Sequence, residues 1–156
     1  TRSIGVIKLK IKLYPGIKIY GDQKFRDKKC PHESVEQATF VNYIKSIYPD
    51  NYGKIIVHIE NEGQVSNGQF SSIMRRKAMG SLNKGASDII IPGNPSFVCE
   101  LKRQDSTLST IDQEQLDYLY AAKDVGAFVC IALGHSAAIN AFNDWLKIIK
   151  PSPNNF

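Results

Sequence analysis

The stretch that decides the fold of this 156-residue chain is Asp88-Ile89-Ile90-Ile91-Pro92-Gly93-Asn94-Pro95-Ser96-Phe97-Val98-Cys99-Glu100-Leu101-Lys102. Its two apolar runs flank a segment rich in proline and glycine, which is typical of a turn. The pattern therefore predicts a β-hairpin. If the turn centres on Asn94, then Ile91 faces Phe97, and Asp88 faces Glu100 near the open end of the hairpin.

The end of this predicted hairpin combines two acids with a lysine. Side chains alternate across a strand, so Glu100 and Lys102 project from one face and Leu101 from the other. Opposed carboxylates lie roughly 5 Å apart in an antiparallel pair, and like charges at that distance destabilise the sheet. Lys102 supplies one compensating cation. A divalent ion would supply more charge, and hard oxygen ligands are those that Mg²⁺ selects.

Outward from the hairpin, the chain alternates helix and strand signals. A helix is predicted to start at Ser34, with Gln37 completing a capping box. Further elements follow in both directions: a short inner strand over 54–59, a helix over 109–123, a strand over 127–133 and a final helix capped by Ser136. His135, just before that helix, is predicted to be a loop residue. The order after residue 33 is α-β-β-β-α-β-α, which indicates an α/β fold with a mixed central sheet flanked by helices.

The N-terminal segment has a different character. Apolar residues alternate with lysines over 7–13, Pro15-Gly16 follows, and a β-hairpin over 6–20 is predicted. Residues 1–30 contain nine Lys/Arg and two Asp, a balance of +7, whereas residues 31–156 balance to −2. Either a nucleic acid is held by this segment, with Lys8, Lys10 and Lys12 as contacts, or the lysines form a solvated sheet edge.

Composition limits the classes of protein that need be considered. With 42% hydrophobic and 22% charged residues, the chain is expected to be globular, and no apolar run approaches the roughly 18 residues of a membrane span. No signal peptide is recognised, and the three cysteines lack disulfide or zinc spacing, which favours a cytoplasmic, intracellular setting. Three regions are predicted: a basic extension over 1–30, a main domain over 31–150 and a flexible tail over 151–156.

Two further polar residues fall on predicted apolar helix stripes. Glu36 lies in line with Phe40 and Ile44, where an unpaired carboxylate would be costly, although it also suits the positive end of a helix dipole. Gln115 lies in line with the apolar positions of its helix. Gln113 is offset, so either glutamine could be the one that faces the site.

Several segments, taken in order, resemble one nuclease family over roughly residues 34–135. They are Asn61-Glu62-Gly63, Met79-Gly80, Lys84-Gly85-Ala86-Ser87-Asp88-Ile89-Ile90-Ile91, Glu100-Leu101-Lys102, Leu108-Ser109, Gln115 and Gly126. Together they closely resemble the VRR-NUC branch of the PD-(D/E)XK nuclease superfamily. Two departures concern loop geometry: Ser87 stands where many members have proline, and an extra residue lies between Gly80 and Gly85.

The resemblance implies a restriction-endonuclease-like core and a role for each matching residue. Asp88 and Glu100 would bind Mg²⁺ or Mn²⁺ together with the Leu101 carbonyl, with one or two metals left open. Lys102 would be the catalytic lysine. Glu36 would be the acid of the first helix, and Gln115 the glutamine of the later helix.

The resemblance also implies a substrate. Small members of the family tend to be structure-selective, so we expect an endonuclease acting on branched, flapped or junction DNA, with RNA not excluded. Arg75, Arg76, Lys77 and Lys84 are candidate phosphate contacts, although the first three could equally form a solvated helix face. Two alternatives are a nucleic-acid-binding module without turnover and a subunit-interaction module, in which the N-terminal hairpin joins a homodimer or a larger complex.

Overall fold

The computed structural model describes residues 7–59, 83 and 85–150. The strands are β1 (Lys8–Lys10), β2 (Lys18–Tyr20), β3 (Val57–His58), β4 (Ile89–Ile91), β5 (Phe97–Lys102), β6 (Thr110–Asp112) and β7 (Phe128–Leu133). The helices are α1 (Glu33–Ile47), α2 (Tyr52–Ile55), α3 (Gln113–Asp124) and α4 (His135–Ile148). A short 3₁₀ helix spans Ser106–Leu108.

A five-stranded mixed sheet in the order β2-β7-β5-β4-β3 forms the centre of the fold. Strands β2, β7 and β5 are parallel, whereas β4 is antiparallel to both β5 and β3. The predicted hairpin is confirmed as β4 and β5, and its register pairs Ile91 with Phe97 and Ile89 with Cys99. The sequence therefore predicted both the hairpin and its alignment.

Helices cover both faces of this sheet. Helices α1 and α4 bury an aromatic cluster against one face, including Phe40, Phe97, Phe142 and Trp145, none of which is exposed to solvent. Helix α3 packs on the opposite face through Leu116 and Leu119. Strand β5 lies between the two cores, and all six of its residues are buried. Any polar side chain on β5 is therefore held in a fixed position.

The turn of the hairpin is anchored by the last helix. The indole Nε1 of Trp145 donates a hydrogen bond of 2.8 Å to the carbonyl oxygen of Pro95. A Cβ added to Gly93 would lie 2.7 Å from the Trp145 ring, so only glycine fits this approach without a shift. The far end of the hairpin is thus fixed to α4.

The N-terminal hairpin prediction is wrong, because its two strands do not pair with each other. Strand β1 pairs antiparallel with β6 in a separate two-stranded sheet, and β2 pairs parallel with β7 at the edge of the central sheet. A single bridge between Tyr14 and Ile17 is the contact that remains of the expected turn. The physical reason is burial: Ile17 and Tyr20 are only 4% and 8% exposed, and joining β7 places them in opposite cores.

Three helix starts also differ from prediction. Helix α1 begins at Glu33, one residue before the predicted Ser34 cap, and Gln37 is buried instead of closing a capping box. Helix α3 begins at Gln113, because the preceding residues pair with β1 and Asp112 is the N-cap. Helix α4 begins at His135, with Gly134 as its N-cap instead of Ser136. The strand predicted over 54–59 is limited to β3, since α2 takes its first residues.

Some predictions lie outside the described residues. They concern the segments at 60–82 and the tail at 151–156, together with the candidate phosphate contacts Arg75, Arg76, Lys77 and Lys84. Within the described ranges, no helix combines the length and apolar character needed to cross a membrane.

The position of β2 predicts the effect of truncation. Deleting residues 1–20 should unfold the protein, because it removes an edge strand and two buried side chains from the central sheet. Deleting residues 1–12 removes only β1 and should cost about 1–2 kcal/mol. Urea unfolding followed by circular dichroism measures both. Equal stability of the two truncated proteins would contradict the assignment of β2 to the sheet.

Candidate active site

Two carboxylates face each other at the open end of the hairpin. The Asp88 carbonyl accepts a hydrogen bond of 2.8 Å from the Ile59 amide, and Asp88 Oδ2 accepts one of 3.2 Å from the Leu101 amide. These bonds fix Asp88 beside β5. Glu100 is fully buried on the neighbouring strand, and neither of its carboxylate oxygens receives a hydrogen bond from the described part of the chain.

The electrostatics of this pair disfavour two negative charges. Burial raises the pKa of Asp88 to about 6, although the Lys102 ammonium acts in the opposite direction. Burial and the neighbouring Asp88 carboxylate raise the pKa of Glu100 well above its usual range. The two acids can therefore both ionise only if more positive charge is supplied than Lys102 carries.

Lys102 lies among three acids. Its Nζ is 3.3 Å from Glu33 Oε1 and 3.7 Å from Glu100 Oε2, and the residue is 4% exposed. Burial lowers the pKa of Lys102, but attraction to Glu100, Glu33 and Asp88 more than offsets this, so the pKa is raised. In this arrangement Lys102 is an ammonium group and not a free base.

The sequence did not single out Glu33. Like Glu36 it lies on the buried side of α1, since it precedes Gln37, Phe40 and Ile44 by four, seven and eleven residues. That spacing is the signal that could have found it. The structure brings Glu33, and not Glu36, into an ion pair with Lys102.

Glu36 instead holds the start of α4. Glu36 is only 1% exposed. Its Oε2 accepts a hydrogen bond of 2.6 Å from the His135 amide and lies 2.7 Å from His135 Nδ1. Its Oε1 accepts a hydrogen bond of 2.9 Å from Gln104 Nε2. Burial acts to raise the pKa of Glu36, but the bonds from Gln104 and His135 outweigh it and lower the pKa. The predicted loop residue His135 is thus a fixed partner of a buried carboxylate.

Gln115 faces the site and Gln113 does not. Gln115 Oε1 accepts a hydrogen bond of 2.8 Å from the Asp112 amide, which completes a capping box, and one of 3.4 Å from Lys102 Nζ. Gln113 is exposed and donates to Asp117 on the surface of α3. The alternative left open by the sequence is resolved in favour of Gln115.

Leu101 carries its predicted ligand atom on the backbone. In this structure its carbonyl accepts a hydrogen bond of 3.2 Å from Gln37 Nε2, and Gln37 Oε1 lies 3.1 Å from His58 Nε2. A carbonyl oxygen has two lone pairs, so one acceptor position remains. Gln37 therefore orients this carbonyl without using it fully.

The chemistry of the donor set fits a hard divalent cation. Glu100 offers two buried oxygens to which no described residue donates a hydrogen bond, and Asp88 lies opposite it. Such buried acceptors are costly unless a cation satisfies them. Among the described residues, no group of three or more His, Cys, Asp or Glu side chains forms a ready metal cluster. Asp88 and Glu100 would thus provide only a small number of protein ligands. This suits an ion that keeps several of its waters, as Mg²⁺ does.

Neighbouring backbone and lysines complete the surroundings. A Cβ added to Gly85 would overlap the Glu114 carbonyl, so the loop before Asp88 lies tightly against the start of α3. Of the predicted N-terminal contacts, Lys8 pairs with Asp112, the N-cap residue of the helix that carries Gln115. Lys10 is exposed on the same strand, and Lys12 lies 5.9 Å from the Tyr14 ring centroid. The β1 lysines therefore lie on the α3 side of the fold.

A comparison with solved structures shows that this fold is similar to a known one. One match is a VRR_NUC domain protein with a TM-score of 0.61 and 19% sequence identity, covering 77% of this chain and 92% of that chain. Neither a protein-family model nor a curated protein matches the chain. The predicted restriction-endonuclease-like α/β core is confirmed, and the resemblance to VRR-NUC proteins is confirmed at the level of the fold.

Proposed function

We propose that this protein is a VRR-NUC nuclease that hydrolyses phosphodiester bonds of DNA and depends on Mg²⁺, for which Mn²⁺ substitutes. The observation that carries the proposal is the Glu100 carboxylate, which is fully buried on the central strand, faces Asp88 and receives no hydrogen bond from the described residues. A protein gains no stability from such an arrangement. It makes chemical sense as a cation site.

Each residue then has a role that follows from its position. Asp88, Glu100 and the Leu101 carbonyl would hold the metal, which when bound polarises the phosphate and lowers the pKa of a coordinated water. Lys102, as an ammonium, can donate to a phosphate oxygen and stabilise the charge that accumulates there. Gln115 and Glu33 hold Lys102 in place through its Nζ.

The substrate proposal is branched, flapped or junction DNA. The distribution of charge supports a polyanionic substrate. Lys8 and Lys10 are exposed on β1, which pairs with β6 next to the start of α3. Phosphate contacts of this kind position a duplex without reading its sequence, which suits selection by structure. A homodimer would present two active sites to two DNA strands. Analytical ultracentrifugation measures the oligomeric state directly.

One experiment tests the activity. Purified protein is incubated with linear, nicked, flapped and four-way DNA, and with RNA, in Mg²⁺, Mn²⁺ or EDTA. We expect cleavage of branched DNA with either metal, none in EDTA, and a loss of at least about a thousandfold in Asp88→Asn. Asp117→Asn, an exposed acid on α3, is the matched control and should cleave normally.

Two results would count against the proposal. Cleavage that persists in Asp88→Asn would show that another site is responsible. Tight, salt-sensitive binding without cleavage of any substrate would instead identify a nucleic-acid-binding module on the same fold.

A further inference from the structure

A cavity of about 270 Å³ lies between the loop after β2 and the start of α4. Apolar groups line part of it, chiefly the Phe25 ring and Leu133, and its polar lining comprises Asp22, Gln104, Ser136 and Asn140. The proposed active site does not use it. It is smaller than a pocket for a drug-sized ligand but large enough for one planar heterocycle.

The cavity is close to the proposed catalytic lysine along the backbone. The amide of Gly134, which lines the cavity, donates a hydrogen bond of 2.8 Å to the Lys102 carbonyl. Gln104, on its other side, is two residues beyond Lys102. The cavity therefore lies next to the end of β5 that carries Lys102.

The wall that carries Phe25 is fixed to this end of the sheet. The Asp27 amide donates to Asp105 Oδ2 at 3.0 Å, and Arg103 donates to the carbonyl oxygens of Cys30 at 2.6 Å and Pro31 at 3.1 Å. Asp105 is only 2% exposed. The loop is held by buried partners, so Phe25 is presented in a defined position.

The lining does not suit a phosphate group. Asp22 is an acidic lining residue whose Oδ1 accepts a hydrogen bond of 2.8 Å from the Lys24 amide, and the first amide of α4, that of His135, is already bonded to Glu36. Hydrogen bonding of Gln104 Nε2 to Glu36 leaves the Gln104 amide oxygen as an acceptor. An uncharged ring with donors and acceptors on its edge fits this lining better than an anion does.

Charge around the cavity indicates where such a ring would come from. Lys24, Lys28 and Lys29 are exposed on the loop that carries Phe25. These cations belong to the basic N-terminal segment, whose charge the catalytic arrangement leaves unexplained. Phosphates on either side of a bound base would lie near them, and base stacking on an aromatic ring is the usual partner of such a basic surface.

We propose that this cavity is a subsite for one unpaired base of the DNA substrate, which stacks on Phe25 beside the active site. The inference rests on the proposed nuclease function and deepens it, because an unpaired base is what distinguishes a flap or junction from a duplex. Ser136 and Asn140 each donate and accept, so the subsite selects an unpaired base without fixing its identity.

The test compares flapped DNA that is intact with the same DNA made abasic at each unpaired position in turn. Fluorescence anisotropy in EDTA measures affinity for the 156-residue protein, and parallel reactions in Mg²⁺ measure cleavage. For one abasic position we expect binding weaker by about tenfold, the loss of one base–aromatic stack. Phe25→Ala and Asn140→Trp, both changes at exposed residues, should reduce that difference to about twofold or less while binding fully paired duplex normally.

Leu13→Ala is the matched control, since Leu13 is also an exposed large apolar residue but does not line the cavity. It should keep the full difference. Equal binding of intact and abasic flaps by the unaltered protein, or an undiminished difference in both cavity variants, overturns the subsite even where cleavage is metal-dependent. Absence of metal-dependent cleavage, with the base preference present and sensitive to Phe25→Ala, overturns the nuclease proposal and keeps the subsite.

Discussion

Glu100→Gln should abolish cleavage and at the same time make the protein more stable. The change keeps the shape of the side chain but removes a fully buried carboxyl that receives no hydrogen bond from the described residues and whose ionisation is disfavoured by burial and by Asp88. Replacing poorly solvated buried ions is often stabilising, and we expect a gain of about 1–3 kcal/mol at pH 8 without metal. Urea unfolding in EDTA measures the gain, and the flap-cleavage assay measures the loss.

The pH dependence of this gain provides its control. When the pKa of a carboxyl is raised in the folded state, the protein becomes less stable as pH rises through that raised pKa. Glu100 is such a group. Near pH 4, at or below its unfolded pKa, Glu100 is protonated in both states and resembles glutamine. The gain should therefore be large at pH 8 and nearly absent at pH 4. A variant that is less stable than the unaltered protein at pH 8 would show that Glu100 supports the fold.

Lys102→Met should also abolish cleavage, but with the opposite effect on stability. Among the described residues, Lys102 is the cation within reach of Glu33 and Glu100, and methionine retains most of its length while removing its charge. Breaking a buried ion pair from one side leaves uncompensated charge, so we expect a loss of about 3 kcal/mol at pH 8. Urea unfolding of the metal-free protein measures it.

The double variant Glu100→Gln/Lys102→Met tests whether the two residues act on each other. Lys102→Met leaves Glu100 without its neighbouring ammonium, and Glu100→Gln removes that carboxyl, so part of the loss should be recovered and the effects should not add. Lys147→Met is the matched control, since Lys147 lies on the surface near Asp144 and should change stability by less than about 0.5 kcal/mol. Additive effects in the double variant would argue against coupling between Glu100 and Lys102.

The hairpin and its register were predictable because local residues determine them. Apolar runs and a turn rich in proline and glycine define which residues pair, and no distant contact is needed to align Asp88 with Glu100. The helical stripe placed Gln115 in line with the core but left Gln113 as an alternative, and the hydrogen bond from Lys102 Nζ is what distinguishes them. The central strand and its chemistry therefore followed from a short stretch of sequence.

The acid of the first helix was not predictable in the same way. Glu33 and Glu36 both lie on the buried side of α1, and their spacing alone cannot show which one reaches Lys102. That depends on how α1 is seated over β5, which the packing of Phe40 and Ile44 decides. Helical periodicity defines a face, and tertiary packing determines what lies opposite each position on it.

The N-terminal strands show a related limit. Alternation of lysine with apolar residues correctly indicated extended structure at β1 and β2, but it carries no information about the partner strand. Proximity in sequence favoured a hairpin. The parallel edge of β7 was the better partner for β2, because it buries Ile17 and Tyr20 on the two faces of one sheet.

Because Trp145 anchors the hairpin turn, the length of the turn between β4 and β5 matters for the proposed activity. Asp88 and Glu100 are opposite each other only in one alignment of β4 with β5, and a slip of one residue would turn one strand's side chains to the other face. The hydrogen bond from Trp145 to Pro95 fixes that alignment from the other end of the hairpin. An insertion or deletion in the turn that shifts this alignment would therefore separate Asp88 from Glu100, although both residues are still encoded.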